Sequence, residues 1–223
     1  MTRPPAAALF TALAAVSITI AGMVFAWSLR PPAPVAPVTA ASSDELRCGS
    51  VACRVVDRAE VGQDVVEVLV GEGVGRIRTS GASGRNVFEV TIAESGAAVT
   101  DRSLECVAAE VAVCLVRGPV GEEVWGELLV RRGTAWTRAQ LPYVADGAYL
   151  GLHDVDADGV ADVVAVQRAC GPEASCARRF AQVFSLVAAQ PAVGCTAVVP
   201  AAEQLPGWPD VAPARAQLRP CGT

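Results

Sequence analysis

Residues 149–167 read YLGLHDVDADGVADVVAVQ. Two mostly apolar stretches, the second of them Val-rich, flank a loop that sets Asp154, Asp156, Asp158 and Asp162 within nine positions. Val-rich stretches of this length read as strands, so the segment is a hairpin closed by an acidic turn. Carboxylates this close repel one another unless a cation lies between them. An all-oxygen donor set suits a hard cation such as Ca²⁺, and a glycine at position 159 permits the sharp turn around it. The competing reading is a solvated acidic turn that holds no specific ion. An EF-hand is a poor fit, because position 12 of the loop, which needs a bidentate Glu, is Ala165 and both flanks are β.

The surrounding sequence keeps a period of two. Strands are predicted over 64–70, 76–79, 86–92, 111–116, 124–131, 134–138, 148–153, 161–167 and 180–187. Glycine-containing turns such as GEGVG, SGASG, RRG and ADG separate them. The stretch 104–110 is ambiguous, and no other stretch has the caps and length of a globular helix. After Val187 the chain is rich in Ala and Pro, which predicts irregular structure. The expected fold is all-β and antiparallel: a partial or small propeller-like domain, or alternatively a sandwich, following an N-terminal transmembrane helix. A faint echo links VWGELLVRRGTAWTRAQL with VADVVAVQRACGPEASCARRFAQVFSL.

The loop Asp154-Val-Asp-Ala-Asp-Gly-Val-Ala-Asp162, followed by Val-Val-Ala-Val, resembles the calcium loops of FG-GAP and VCBS repeat proteins, the integrin α-chain propeller type. The resemblance covers one repeat, residues 148–187. It implies a loop between two strands of one blade, with side-chain oxygens from Asp154, Asp156, Asp158 and Asp162 and the backbone carbonyl of Val160 as ligands. At about 40–45 residues per blade, the chain beyond residue 46 holds at most four such units.

Eight cysteines lie mostly in close pairs: Cys48 with Cys53, Cys106 with Cys114, Cys170 with Cys176, leaving Cys195 and Cys221. In an exported chain this pattern reads as disulfides. Zinc is disfavoured, since the spacings are wrong and the only histidine is His153. Spacing does not fix connectivity; nearest-neighbour pairing is the expectation.

Residues 6–29 form an uncharged, mostly apolar run, long enough to cross a bilayer. The expected organisation is a cytoplasmic tail (1–5), a signal-anchor span (6–29), a Pro/Ala-rich linker (30–46) and a disulfide-rich β domain (47–223). The domain is then extracytoplasmic and held at the cell membrane by a single pass. Secretion after cleavage near Ala26 is the alternative. A net charge of −5 argues against nucleic acid as a partner.

Catalytic candidates are few. Ser83 does not sit in G-x-S-x-G, and His153 on a strand reads as structural. The run 71–75 lacks the third glycine of a dinucleotide loop. Trp125 and Trp136 read as core. Glu122, Glu123 and Glu127 could supply an acid pair. The leading expectation is a calcium-stabilised binding or structural module, not an enzyme, facing an unknown envelope protein or glycan. The alternative is an exported carboxylate-based hydrolase acting on envelope polysaccharide.

Overall fold

Beyond residue 45 the Val-rich strings become strands that pair almost entirely with their neighbours along the chain. The structure, a computed structural model, describes residues 46–170, 176–187 and 192–222. The expected tail 1–5, span 6–29 and all of the linker 30–46 except Leu46 lie outside the described residues. Among the described residues no helix is long and apolar enough to cross a membrane.

A small hairpin, β1 (Arg47–Cys48) and β2 (Val51–Ala52), is closed by the Cys48–Cys53 disulfide. Three antiparallel sheets follow. The first contains β3 (Arg54–Val61), β4 (Asp64–Gly71), β5 (Val74–Gly81) and β6 (Asn86–Val90), in chain order. The second contains β7 (Leu104–Val107), β8 (Ala112–Val120), β9 (Glu123–Arg132) and β10 (Ala135–Arg138). A further short strand, β11 (Tyr143–Ala145), continues along the same edge of β9 past an interruption at 139–142. The third contains β12 (Leu150–His153), β13 (Asp162–Arg168), β14 (Arg179–Phe184) and β15 (Ala192–Cys195). The chain is therefore all-β and antiparallel.

Alternation of side chains stacks these sheets face to face. On β8, Ala112, Cys114 and Val116 meet Val66, Val68 and Ile77 of the first sheet. The intervening Val113 and Leu115 meet Leu150, Leu152, Val163 and Ala165 of the third. Val164 and Val166 of β13 point the other way and are covered by Leu205 and Val211 of the C-terminal segment. A strand covered on both faces loses the polar alternation of a half-exposed one, which explains why β8 and β13 read as continuous apolar runs. Gly126 of β9 marks a close approach between the second and third sheets: an added Cβ would lie 2.5 Å from Leu150 Cδ2 and 2.7 Å from Leu115 Cδ1. The outer face of the first sheet is charged, with Arg78 pairing to Glu67 at 2.8 Å and Arg76 to Glu89 at 2.9 Å.

The leading strands of successive sheets are tied by the same device. The Leu104 N–H on β7 donates to Asp57 Oδ2 on β3 at 2.9 Å, and the Leu152 N–H on β12 donates to Glu105 Oε1 on β7 at 3.2 Å. In both ties the donor lies 47 residues after the acceptor, which identifies a structural repeat. The echo noticed in the sequence is out of register with it, because it aligns β9, a third strand, with β13, a second strand.

Several boundaries differ from expectation. β3 was not expected as a strand; Arg54, Arg58 and Glu60 face solvent on this edge, which breaks the apolar pattern. The strand expected over 86–92 stops at Val90. There Glu127 takes the Thr91 N–H at 3.0 Å and also the Thr91 hydroxyl, and the chain turns into a short helix, α1 (Thr91–Glu94). The ambiguous stretch becomes β7, and the strand expected to reach Val187 ends at Phe184. Disulfides join Cys106 to Cys114 across β7 and β8, Cys170 to Cys176, and Cys195 to Cys221. Together with Cys48–Cys53 this is the nearest-neighbour set.

Candidate metal centre

The acidic loop joins the first and second strands of the third sheet, between His153 and Asp162, which pair across the hairpin. Gly159 takes a φ of 84° and Ala157 a φ of 61°. The first is open to glycine at no steric cost, whereas the second is unfavourable for a residue with a Cβ. The turn is held from within. The Asp158 N–H donates to Asp154 Oδ1 and the Gly159 N–H to Asp154 Oδ2, both at 3.1 Å.

Three of the four expected aspartates converge. Asp154, Asp156 and Asp162 each offer a carboxylate oxygen, and these oxygens lie within 4.8 Å of one another. Asp158 is not in that group; its Oδ1 instead accepts the Val160 N–H at 2.8 Å. Val160 itself is buried against the second sheet, which anchors the loop.

The electrostatics of the three differ. Asp162 is 1 % exposed. Burial pushes its carboxyl up to about 6, the Val155 and Asp156 backbone N–H groups offset part of this, and the Asp156 and Asp158 charges add to it. Asp156 Oδ2 accepts from Arg215 Nη1 at 3.2 Å, while its Oδ1 is buried with no hydrogen-bond partner. A buried carboxylate oxygen without a donor is costly. A divalent cation would satisfy it and relieve the repulsion on Asp162, so the donor set fits a hard metal ion.

Beside the loop, the Tyr149 hydroxyl donates to Asp210 Oδ1 at 2.9 Å and lies 2.9 Å from His153 Nε2. His153 Nε2 is itself 3.1 Å from Asp210 Oδ1. The lone histidine thus ties the C-terminal segment to β12. Nothing in the sequence marked Asp210 as its partner.

A second buried aspartate escaped the sequence reading. Asp64, the first residue of β4, is enclosed by donors: Ser83 Oγ at 2.5 Å, Ser83 N–H at 2.8 Å and Trp136 Nε1 at 3.1 Å, with Arg131 Nη1 at 3.5 Å. Burial pushes its carboxyl up, but these groups outweigh it and the net shift is downward. Asp64-Val-Val-Glu-Val and Asp162-Val-Val-Ala-Val open the second strands of their sheets, so a shared string was the available signal.

The glutamates weighed as an acid pair are each engaged elsewhere. Glu122 accepts from Arg168 at 2.6 Å and Glu123 from Trp125 Nε1 at 2.7 Å, while Glu127 is buried against Thr91 and Arg138. Among the described residues, the clefts of about 500 Å³ beside β15 and about 440 Å³ beside β11 have no carboxylate in their walls. The sequence was compared with protein-family models, curated proteins and solved structures, and none of them matches it.

Proposed function

We propose that this chain is an extracytoplasmic binding or structural module whose third sheet is completed by Ca²⁺ held by Asp154, Asp156 and Asp162. The observation that carries this reading is the contrast between its two buried aspartates. Asp64 is met by hydroxyl, amide, indole and guanidinium donors, whereas Asp162, opening the equivalent strand, has the Val155 and Asp156 backbone N–H groups but also the carboxylates of Asp156 and Asp158 beside it, and no cationic side chain among the groups that shift it. A divalent cation among Asp154, Asp156 and Asp162 would offset that negative charge. Val160 and Asp158 would join the ligand set if the loop tightened around the ion.

The same position supports the FG-GAP-like and propeller-like readings. The loop closes the first hairpin of a four-stranded antiparallel sheet, and three antiparallel sheets, of four, five and four strands, follow one another along the chain. Four disulfides fit an oxidising, extracytoplasmic setting. With the glutamates committed to structural contacts, we read the module as presenting its loops to an envelope protein or glycan, anchored through residues 6–29. Isothermal titration of the purified protein with Ca²⁺ tests the metal reading. Saturable heat that is lost in Asp156→Ala supports it; no heat at millimolar Ca²⁺ overturns it.

A further inference from the structure

We propose that the Cys195–Cys221 disulfide is an exchangeable latch, and that its reduction by a small dithiol releases the C-terminal segment from the third sheet. The inference stands apart from the metal reading and rests on three observations.

The first is what the bridge encloses. Its cysteines are 26 residues apart, whereas the other three bridges span 5, 8 and 6. Those short loops are local to a hairpin or turn. The loop closed by Cys195 and Cys221 contains much of the covering of the outer face of β13 and β14, including Leu205 and Val211.

The second is how little else holds that segment. It has no strand of its own beyond single bridges pairing Arg179 with Val199 and Cys195 with Arg219, and its helical content is two short 3₁₀ turns at 202–204 and 215–217. Its side-chain ties to the sheet are Arg215 to Asp156, Asp210 to Tyr149 and His153, and the Ala181 N–H to Thr196 Oγ1. With little regular pairing, the segment depends for its hold on the burial of Leu205 and Val211 and on the bridge itself.

The third is access. The open cleft of about 500 Å³ beside β15 is lined by both Cys195 and Cys221. Among the described residues Arg219 is the only ionisable one in its wall, and it favours the approach of a thiolate. Cys48 and Cys114 are fully buried and Cys195 is 6 % exposed, so in each of these bridges one sulfur is shielded, and it is the cleft that opens this one to attack at Cys221.

A thiolate entering the cleft attacks the sulfur of the partly exposed Cys221. The Cys195 sulfur leaves with the electron pair and takes a proton from water. The second thiol of the reductant then attacks the mixed disulfide, freeing Cys221 as a thiol and leaving the reductant as a disulfide. Two electrons pass from dithiol to cystine.

Graded dithiothreitol, followed by alkylation and peptide mapping on the full-length protein, tests the proposal. Cys195 and Cys221 should be labelled while Cys48, Cys106 and Cys114 remain bridged. At that stage protease cleavage within 200–215 should rise about tenfold or more, since cutting follows the population of the open form. Labelling of Cys195 and Cys221 only after Cys106–Cys114 opens would overturn the proposal. So would selective labelling without any rise in cleavage. The double variant C195A/C221A should show the raised cleavage without reductant; if it folds with this segment as protected as in the parent protein, the latch role is wrong.

Discussion

Asp64 and Asp162 stand at the same place in two sheets, each the first residue of a second strand and each 1 % exposed, yet their carboxyls shift in opposite directions. Burial acts alike on both. The difference lies in the neighbours: a hydroxyl, an indole and a guanidinium around Asp64, two backbone N–H groups and two further carboxylates around Asp162.

Replacing Asp162 by Asn removes the charge and keeps an oxygen for the Val155 N–H. Asp162→Asn should stabilise the metal-free protein at pH 7 by up to about 3 kcal/mol, the equivalent of a rise from 3.8 to about 6. It should also abolish the rise in melting temperature on adding Ca²⁺. Chemical denaturation with and without EGTA measures both effects.

The two shifts set opposite pH trends. The raised carboxyl of Asp162 favours the folded state below its unfolded value near 3.8, and that contribution is lost as pH rises through about 6. The lowered carboxyl of Asp64 contributes stability above pH 3.8, which is lost as pH falls through its folded value. In EGTA, the Asp162 contribution should make the protein melt higher at about pH 4.5 than at pH 7. Added Ca²⁺ should raise the pH 7 value far more than the pH 4.5 value, because protons compete for the same oxygens. Differential scanning calorimetry at the two pH values checks this; a Ca²⁺ response equal at both would contradict it.

Truncating Asp64 strands its donors. Asp64→Ala leaves the Trp136 N–H and the Arg131 charge without their acceptor, and should cost about 3–5 kcal/mol. Ser83→Ala removes one donor and should cost about 1 kcal/mol. Urea midpoints at constant m-value would read both.

The carboxylate ties between leading strands make a further test. Glu105→Ala should cost about 2 kcal/mol, because it strands the Leu152 N–H and frees Arg117, which pairs with Glu105 at 2.5 Å. Native-state hydrogen exchange should show the Leu152 amide losing protection first.

Much of this was legible in the sequence, for identifiable reasons. The hairpin at 149–167 was legible because turn chemistry, strand pattern and charge agree there. β3 was not, because an edge strand with charged outward residues carries a weak periodic signal. The convergence of Asp154, Asp156 and Asp162 was half-legible: spacing put four carboxylates on one loop, but the backbone decides which turn inward, and Asp158 is used to hold Val160. The partners of Asp64 come from 19 and 72 residues along the chain, a distance no local pattern bridges.

The burial of β8 on both faces bears on how the molecule comes apart. Each sheet leans only on the layers beside it, so cohesion passes along a single line with the second sheet in the middle. Damage there severs both halves at once, whereas damage to the first sheet, with its charged outer face, can be shed from the end. Such a body unravels from its termini inward, as a short solenoid does, and the centre of β8 should be the last backbone to exchange its protons.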